Sequence, residues 1–204
     1  MTELGLFPLG IVLLPTEQIP LHIFEERYQE LIGECLADER EFGLVYADDD
    51  GIREIGTRAT VTEVLERFDD GRLNVVVEGG ERFRLLELTS GRSFHTGVVE
   101  PVADEAGDAD PADLERALEL FDRLVQLTGT EVEPPDPASD QLSFALAGRF
   151  ELSPELKQRL LALRSERERM TLLVELLDGA AQSVARQQEV AARAATNGKV
   201  EPRG

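Results

Sequence analysis

Few residues in this chain have the types and spacing that catalysis requires. A phosphate-binding loop needs G-x-x-x-x-G-K-[ST], but the Gly198-Lys199 pair is followed by Val200, and Arg193 stands where the first glycine belongs. The nearest match to a nucleophile elbow, Gly91–His95, ends in histidine instead of glycine and lies in a predicted hairpin. These patterns predict neither ATP hydrolysis nor a serine nucleophile.

Two further arrangements could in principle support chemistry. Ser153 and Lys157 are spaced to share a helix face, as in a Ser–Lys dyad, but Ser153 precedes Pro154 and is explained as a helix cap. The two histidines, His22 and His95, have no cysteine or second histidine at zinc-ligand spacing. We expect His22 to pack at a strand–helix junction and to satisfy a backbone group, and we expect no cofactor and no metal.

The single cysteine and the acidic run near it in sequence favour structural roles. Cys35 lies on the apolar face of a predicted helix, which favours a buried thiol, and one cysteine excludes an internal disulfide. The run Asp48–Gly51 resembles part of a calcium loop, but Tyr46 occupies the position where the first ligand would stand. A solvated turn is the better interpretation.

The composition narrows the range of partners. The 204 residues include 41 acidic and 21 basic residues, which gives a net charge of −20. Because nucleic acids and anionic membranes are bound mainly through Lys and Arg, this excess argues against both as partners. The apolar run Leu9–Leu14 is far shorter than the roughly 20 residues of a membrane-spanning helix, and the first residues lack the basic region of a signal peptide. We expect a cytoplasmic protein.

The elements that position the remaining candidates begin with the stretch 6–28. Its prolines Pro8, Pro15 and Pro20 exclude a continuous helix, so strand, turn, strand and then helix are predicted. Beyond this stretch, apolar residues recur at helical spacing from Tyr28 to Leu36. We expect one amphipathic helix there.

Alternation with a period of two predicts strands from Thr57 to Val102. Asp70-Gly71 and Gly79-Gly80 are predicted to be hairpin turns, which would make an antiparallel meander. The apolar phase changes after Val61 and again after Leu85, which indicates a bulge or bend at each point. Residues 1–102 are therefore predicted to form a strongly curved β domain with one helix.

The second half reads as helical. Residues 103–110 are small and acidic and are predicted to be a linker, and residues 111–185 a helical bundle. Its last helix carries a stripe of apolar residues from Met170 to Val184 that is typical of a core. The segment 186–204 has only a weak stripe and is predicted to be a frayed or disordered tail, or a partner contact.

Three sequence segments resemble the N-terminal, substrate-binding domain of the Lon ATP-dependent proteases. They are FPLGIVLLPTEQIPLHIFEERYQELIGECL, REFGLVY and GTRATVTEVLERFDDGRLNVVVEGGERFRLLE, of which PLHIFEERY and DGRLNVVVEGGERFR are the most specific. The resemblance spans about residues 4–180. It implies an α+β fold, in which a PUA-like pseudo β-barrel with one helix precedes a C-terminal helical bundle. It also implies a role in engaging unfolded or tagged protein substrates.

The sequence lacks the phosphate-binding loop and the Ser–Lys protease motif of that family, so we expect a stand-alone, non-catalytic protein. The leading hypothesis is binding of exposed apolar peptide segments, in protein quality control. The binding residues expected from the stretch 6–28 are Phe7, Leu9, Pro20, Leu21, His22, Phe24, Arg27 and Tyr28.

Several alternatives remain open at this stage. The apolar members of the stretch 6–28 could simply be core. The protein could be an adaptor that docks onto another protein, or a homo-oligomer, through its helical part. RNA binding through a PUA-like fold is opposed by the net charge of −20, and an unrecognised hydrolase is a further alternative.

Overall fold

The computed structural model describes residues 1–197, which contain six strands and five helices. The strands are β1 (Thr2–Leu9), β2 (Gln18–Ile23), β3 (Phe42–Asp48), β4 (Gly51–Arg67), β5 (Leu73–Thr89) and β6 (His95–Pro101). The helices are α1 (Glu26–Asp38), α2 (Pro111–Thr128), α3 (Leu142–Ala147), α4 (Pro154–Ala162) and α5 (Glu166–Asn197). A β domain with one helix therefore precedes a helical part, which confirms the α+β architecture. None of the helices in the described range is both long and apolar enough to cross a bilayer.

The six strands form one sheet that closes on itself. The strand order is β2-β5-β4-β3-β1-β6, and β5 also pairs with β6. Only the β1–β3 pair is parallel among these pairings. The 17-residue strand β5 makes this closure possible, because its first half pairs with β2 and its second half with β6.

The bends predicted from the sequence lie where the apolar phase changes. The β4–β5 register shifts between Val61 and Glu63, and the β5–β6 register shifts between Leu85 and Glu87. A bulge lets two consecutive residues oppose one, so the strand turns and its side chains change face. These two irregularities curl the sheet toward a barrel.

The prediction of a hairpin turn at Gly79-Gly80 was wrong. Both glycines lie inside β5, next to a register shift between Thr57 and Ala59 of β4. Neither has the positive φ that a two-residue hairpin turn demands. Glycine is required at position 79 for a different reason, because the carbonyl group of Leu14 packs directly against its Cα.

The predicted turn at Asp48–Gly51 is confirmed, and a turn is also present at Asp70-Gly71, although three residues, 69–71, separate the hydrogen-bonded Phe68 and Arg72 where a two-residue turn was predicted. The Asp48–Gly51 turn joins β3 to β4, and Gly51 has a φ of +111°. Asp70-Gly71 belongs to the connection between β4 and β5, where the Gly71 N–H donates to the Phe68 carbonyl at 3.0 Å. Gly71 itself has a φ of +89°, a backbone conformation that residues with a side chain adopt only at an energetic cost.

The barrel has a core of its own, into which α1 packs. The apolar face of α1 is buried as predicted, with Tyr28, Leu31, Ile32 and Cys35 all in contact with the strands. Burial raises the pKa of the Cys35 thiol to about 11. The thiol is therefore protonated near neutral pH, in line with the predicted structural role.

The helical part follows the predicted caps. The Asp110 side chain accepts from the Ala112 N–H at 2.9 Å, with Pro111 in the first turn, and Gly129 ends α2 in the left-handed conformation. Ser153 caps α4 by accepting from the Leu156 N–H. Ser153 therefore has a structural partner, which supports the capping interpretation.

The apolar stripe of α5 is core, as predicted. Met170, Leu173, Leu177 and Ala181 are fully buried against α2 and α3. The helix continues to Asn197, so in the structure it includes residues 186–197 of the segment that the sequence predicted to be a frayed or disordered tail, or a partner contact. Residues 198–204, the rest of that predicted tail, lie outside the described residues.

A buried charge network joins the barrel, the segment after β6 and the bundle. The Arg169 side chain of α5 is fully buried, and its Nη2 donates to Asp104 Oδ2 at 2.5 Å and to Glu166 Oε2 at 2.7 Å. Its Nε also donates to Ser143 Oγ at 3.1 Å. Arg82 of β5 forms an ion pair with the same Asp104. Burial lowers the pKa of Arg169, but the hydrogen bonds that Arg169 donates to the Asp104 and Glu166 carboxylates outweigh burial and leave that pKa raised.

A second polar junction links the start of β2 to α4. The buried carboxylate of Glu17 accepts from the Leu14 N–H at 2.9 Å and forms an ion pair with Lys157. Nearby, the Gln158 side-chain amide donates to the Ile55 carbonyl at 3.0 Å. Lys157 is therefore committed to an ion pair with Glu17, which also disfavours the Ser–Lys dyad.

We predict that Arg169→Met lowers the free energy of unfolding by about 3–5 kcal/mol, because it leaves the Glu166 carboxylate without its cationic partner and Asp104 with Arg82 alone. The measurement is urea denaturation followed by circular dichroism. Arg193→Met is the control, since the Arg193–Glu189 pair is solvent-exposed and contributes less than about 1 kcal/mol. Equal effects of the two substitutions would contradict a central role for the network.

We predict that Gly79→Ala destabilises the protein by about 1–3 kcal/mol, because the new Cβ would overlap the backbone carbonyl of Leu14. Gly80→Ala is a matched control in the same strand, since its Cβ would meet no atom closer than 3.5 Å. Thermal unfolding of the two variants tests this. A Gly79→Ala protein as stable as Gly80→Ala would show that the loop before β2 does not depend on this contact.

Candidate functional site

Strand β2 lies at an edge of the sheet. Among the described residues it pairs with β5 alone, from Gln18 opposite Glu78 to Ile23 opposite Leu73. Pro20 lies in the middle of the strand, and proline is tolerated in sheets mainly at edges because it has no N–H to donate. The second edge of β2 is therefore available for contact with another chain segment.

The two faces of β2 and β5 differ sharply in exposure. On β5, Leu73, Val75 and Val77 are buried, whereas the residues between them are only half-buried. On β2, His22 and Pro20 are exposed, while Ile23 is buried in the barrel core. Since partners in register point to the same side of a sheet, Pro20 lies beside Val76, and His22 beside Asn74, on the outer face.

An aromatic cluster lies at one end of this outer face. The ring of His22 stacks on Phe24 with a centroid distance of 5.9 Å, and Phe68 meets His22 edge-on at 6.1 Å. Phe24 is 61% exposed, although it follows directly after the buried Ile23. We define Pro20, His22, Phe24, Phe68 and Val76 as the β2 face.

Hydrogen bonds from the β4–β5 turn and α1 hold the aromatic cluster in place. The Arg72 guanidinium lies 4.9 Å from the centre of the Phe68 ring and donates to Asp70 at 2.8 Å. The backbone N–H of Arg72 also donates to Asp70, and these hydrogen bonds lower the pKa of that carboxyl. On the other side, the Gln29 amide donates to the Phe24 carbonyl at 3.0 Å. The cluster is thus supported from the turn and from the helix.

Polar side chains cross the strands beside the cluster. His22 Nδ1 donates to Asn74 Oδ1 at 2.6 Å, and Asn74 Nδ2 donates to Glu66 Oε2 at 3.1 Å. Four residues away along each of these two strands, Gln18 Nε2 donates to Glu78 Oε2 at 2.6 Å. The expectation that His22 would satisfy a backbone group was wrong, because its partner is the Asn74 side chain and its ring is exposed.

The residues expected to bind from the sequence fall into three groups. Four of the eight side chains are exposed, two are half-buried and two are buried. The exposed residues are Pro20, His22, Phe24 and Arg27; the half-buried are Leu9 and Leu21; the buried are Phe7 and Tyr28. Leu9 and Leu21 pack against the barrel core, so the surface that they offer is small.

The two buried aromatic residues form part of the barrel core. The rings of Phe7 and Tyr28 stack with a centroid distance of 4.0 Å, and burial raises the pKa of the Tyr28 hydroxyl. Arg27 lies over the outer side of the Tyr28 ring at 4.7 Å and pairs with Glu25 at 2.6 Å. As a correction to the sequence expectation, Phe7 and Tyr28 are core residues that a ligand does not reach.

Phe68 and Val76 belong to the surface but were missing from the expected set. Val76 carried a detectable signal, since it is the apolar residue among Asn74 and Glu78 on the exposed phase of β5. Phe68 carried none, because a phenylalanine beside a turn is equally compatible with core. Only the pairing of β4, β5 and β2 brings Phe68 to His22.

The chemical groups of the β2 face are suited to non-covalent contacts. Within residues 1–197 no group of three or more His, Cys, Asp or Glu side chains is placed to hold a metal ion. The exposed groups offer aromatic and aliphatic area, an unpaired strand edge and acceptor oxygens. These are the features that recognise an extended polypeptide.

Comparison with known sequences identifies a family over most of the chain. The family model described as "ATP-dependent protease La (LON) substrate-binding domain" matches residues 3–179. Lon protease from Azospirillum brasilense is 26% identical over 189 residues, which are 83% of this chain and 23% of that protein. Lon protease from Flavobacterium johnsoniae is 26% identical over 186 residues, again 23% of its length. The chain thus spans about a quarter of the length of these curated relatives.

Two solved structures share the fold. The Lon N-terminal domain protein from Xanthomonas campestris superposes with a TM-score of 0.70 at 25% identity, covering 86% of this chain and 98% of that one. The N-terminal domain of the Mycobacterium avium complex Lon protease gives a TM-score of 0.64 at 17% identity over 87% of this chain and 98% of that one. The barrel with its following bundle is therefore the PUA-like Lon N-terminal fold that the sequence resemblance implied.

The closed β-barrel with β2 at its edge, the bundle tied to it and the family match over residues 3–179 lead to one conclusion: this chain belongs to the family of Lon substrate-binding domains.

Proposed function

We propose that this protein binds exposed apolar segments of unfolded or tagged proteins at the β2 face, without catalysing a reaction itself. The observation that carries the proposal is the exposed aromatic cluster around Phe24, which lies beside the edge of β2 that pairs with no other strand among the described residues. The family supplies the general role of substrate binding. The exposed aromatic and apolar groups of the β2 face support this location for binding and an apolar segment as the ligand.

The apolar area gives a physical reason for binding. Burying a phenylalanine side chain is worth about 1.5–3 kcal/mol, and Phe24 remains mostly in water here although the barrel core lies one residue away. Because Gln29 and the β4–β5 turn fix the cluster, little conformational entropy is lost when a ligand covers it. An unfolded segment that carries apolar side chains would bury Phe24, and the binding site itself would lose little conformational entropy.

The open edge of β2 gives a reason for preferring extended segments. A polypeptide that adds beside β2 makes main-chain hydrogen bonds that do not depend on its sequence. Pro20 removes one backbone donor from the strand, so this pairing is incomplete and the side-chain contacts must contribute much of the affinity. Such a combination suits a protein that samples many unfolded substrates, as protein quality control requires.

The charge around the site supports a protein ligand over a nucleic acid. Glu63, Glu66 and Glu78 lie on the same outer face as the β2 face, and they would repel phosphate groups. We therefore propose that nucleic acids are not partners of this surface.

We predict that Phe24→Ala weakens the binding of an unfolded, apolar model peptide by about tenfold, or ~1.4 kcal/mol, because Phe24 supplies the largest exposed side chain of the site. Fluorescence anisotropy with a labelled peptide measures this. Leu88→Ala is the matched control, since Leu88 is 49% exposed at the opposite end of β5, where that strand pairs with β6. Equal losses in the two variants would place binding elsewhere.

We predict that the purified chain does not cleave a labelled unfolded protein, with or without ATP and magnesium. The reason is that Lys157 and Ser153, which have the spacing of a dyad, are engaged by Glu17 and by the α4 backbone. Gel electrophoresis over several hours tests this, with a protease of known activity as the positive control. ATP-dependent fragments that persist through further purification would overturn the non-catalytic part of the proposal.

A further inference from the structure

We infer that the preferred ligands of the β2 face are segments in which apolar residues are interspersed with Lys or Arg. This inference rests on the proposed function and specifies its substrate class. The apolar residues would cover the aromatic cluster, and the cationic residues would meet three carboxylates that belong to the same outer face.

The strand register places these carboxylates on the outer face. Glu78 of β5 lies opposite Gln18 of β2, and on β4 Glu63 and Glu66 lie opposite Val76 and Asn74. Because residues in register share one side of the sheet, all three carboxylates lie on the side that carries Pro20 and His22. The outer face therefore combines an apolar and aromatic part with an acidic part.

These three carboxylates have no cationic partner within the part of the chain that the structure describes. The ion pairs found there involve many other acidic residues, but none involves Glu63, Glu66 or Glu78. Two other acidic residues close to the cluster in sequence differ, since Glu25 is paired with Arg27 and Asp70 with Arg72. Among the described residues no ion pair therefore neutralises Glu63, Glu66 or Glu78.

Neutral amides orient two of these carboxylates without reducing their charge. Gln18 donates to Glu78 at 2.6 Å, which holds that carboxylate beside β2. Asn74 donates to Glu66 at 3.1 Å and also accepts from His22. An ion pair with Arg or Lys would have fixed the same oxygens but cancelled their charge. The free lone pairs of these oxygens remain available to a ligand cation.

The distances suit an extended ligand beside β2. Neighbouring strands lie about 4.8 Å apart, so a Lys or Arg side chain on an added strand reaches Glu78 across the width of β2. Glu63 and Glu66 are one strand further away, but at physiological salt their charges still act over a Debye length of about 8 Å. Glu78 is therefore expected to make the direct contact, and the other two to strengthen the field.

The test compares three synthetic peptides of equal length with the same apolar residues and with Lys, Gln or Glu between them. Binding to the full chain is measured by fluorescence anisotropy at low and at physiological salt. We expect the Lys peptide to bind about tenfold more tightly than the Glu peptide at low salt, and the ratio to shrink as salt increases. Equal binding of all three peptides would overturn the inference and leave the proposed function intact. No binding of any peptide would overturn both.

Charge variants locate the preference. The triple variant Glu63→Gln, Glu66→Gln and Glu78→Gln is expected to reduce the ratio of Lys-peptide affinity to Glu-peptide affinity by about three- to tenfold. Glu78→Gln alone is expected to account for the largest share of this reduction. The matched control is Glu115→Gln, Asp122→Asn and Glu131→Gln, which removes the same charge from exposed positions beyond the barrel. If both triple variants reduce the ratio equally, the preference comes from the overall charge of −20 and the assignment to this face is overturned.

Discussion

The buried guanidinium of Arg169 is the interaction on which the arrangement of the two halves depends. A fully buried charge is tolerated only when its partners surround it, and here the partners come from different parts of the chain. Asp104 follows the barrel, Ser143 belongs to α3 and Glu166 begins α5. Arg82 reaches the same cluster from β5 and also donates to the Leu161 carbonyl at 2.7 Å. Because these groups come from the barrel, from the segment after it and from the bundle, the network is complete only when the bundle occupies one position against the barrel.

Contacts with both the barrel and the bundle also fix the start of β2. Gly79 of β5 exchanges backbone hydrogen bonds with Thr16 and Glu17, and the absence of a side chain lets the Leu14 carbonyl approach. Glu17 in turn pairs with Lys157 of α4. Strand β2 is thus anchored by barrel and bundle at its beginning and by Gln29 of α1 just after its end, at Phe24. A rigid strand with one unpaired edge is the result, which is the geometry that a peptide-binding surface needs.

The candidate site was predictable in part. The prolines of the stretch 6–28 correctly indicated strand, turn, strand and then helix, and Phe24, His22 and Pro20 are on the surface. Phe7 and Tyr28 have the same chemical character in sequence, yet they stack on each other in the core. An aromatic residue gives no local signal of its orientation when prolines interrupt the alternation around it. Phe68 and Val76 reach the site only because β4 and β5 pair beside β2, and such long-range pairing has no local sequence signature.

The sequence by itself determined the elements of this protein: the helix caps at Asp110 and Ser153, the apolar stripe of α5, the bends after Val61 and Leu85, and the class of fold. These follow from backbone sterics and from apolar periodicity, which are local properties. Only the tertiary structure decided that Gly79-Gly80 lies inside a strand, that α5 extends to Asn197 and that Arg169 is buried. It also decided that Phe7 is buried whereas Phe24 faces water. The physical reason is that burial depends on which distant segments meet: Phe7 and Tyr28 stack on each other in the core, whereas Phe24 stacks on His22 at the surface.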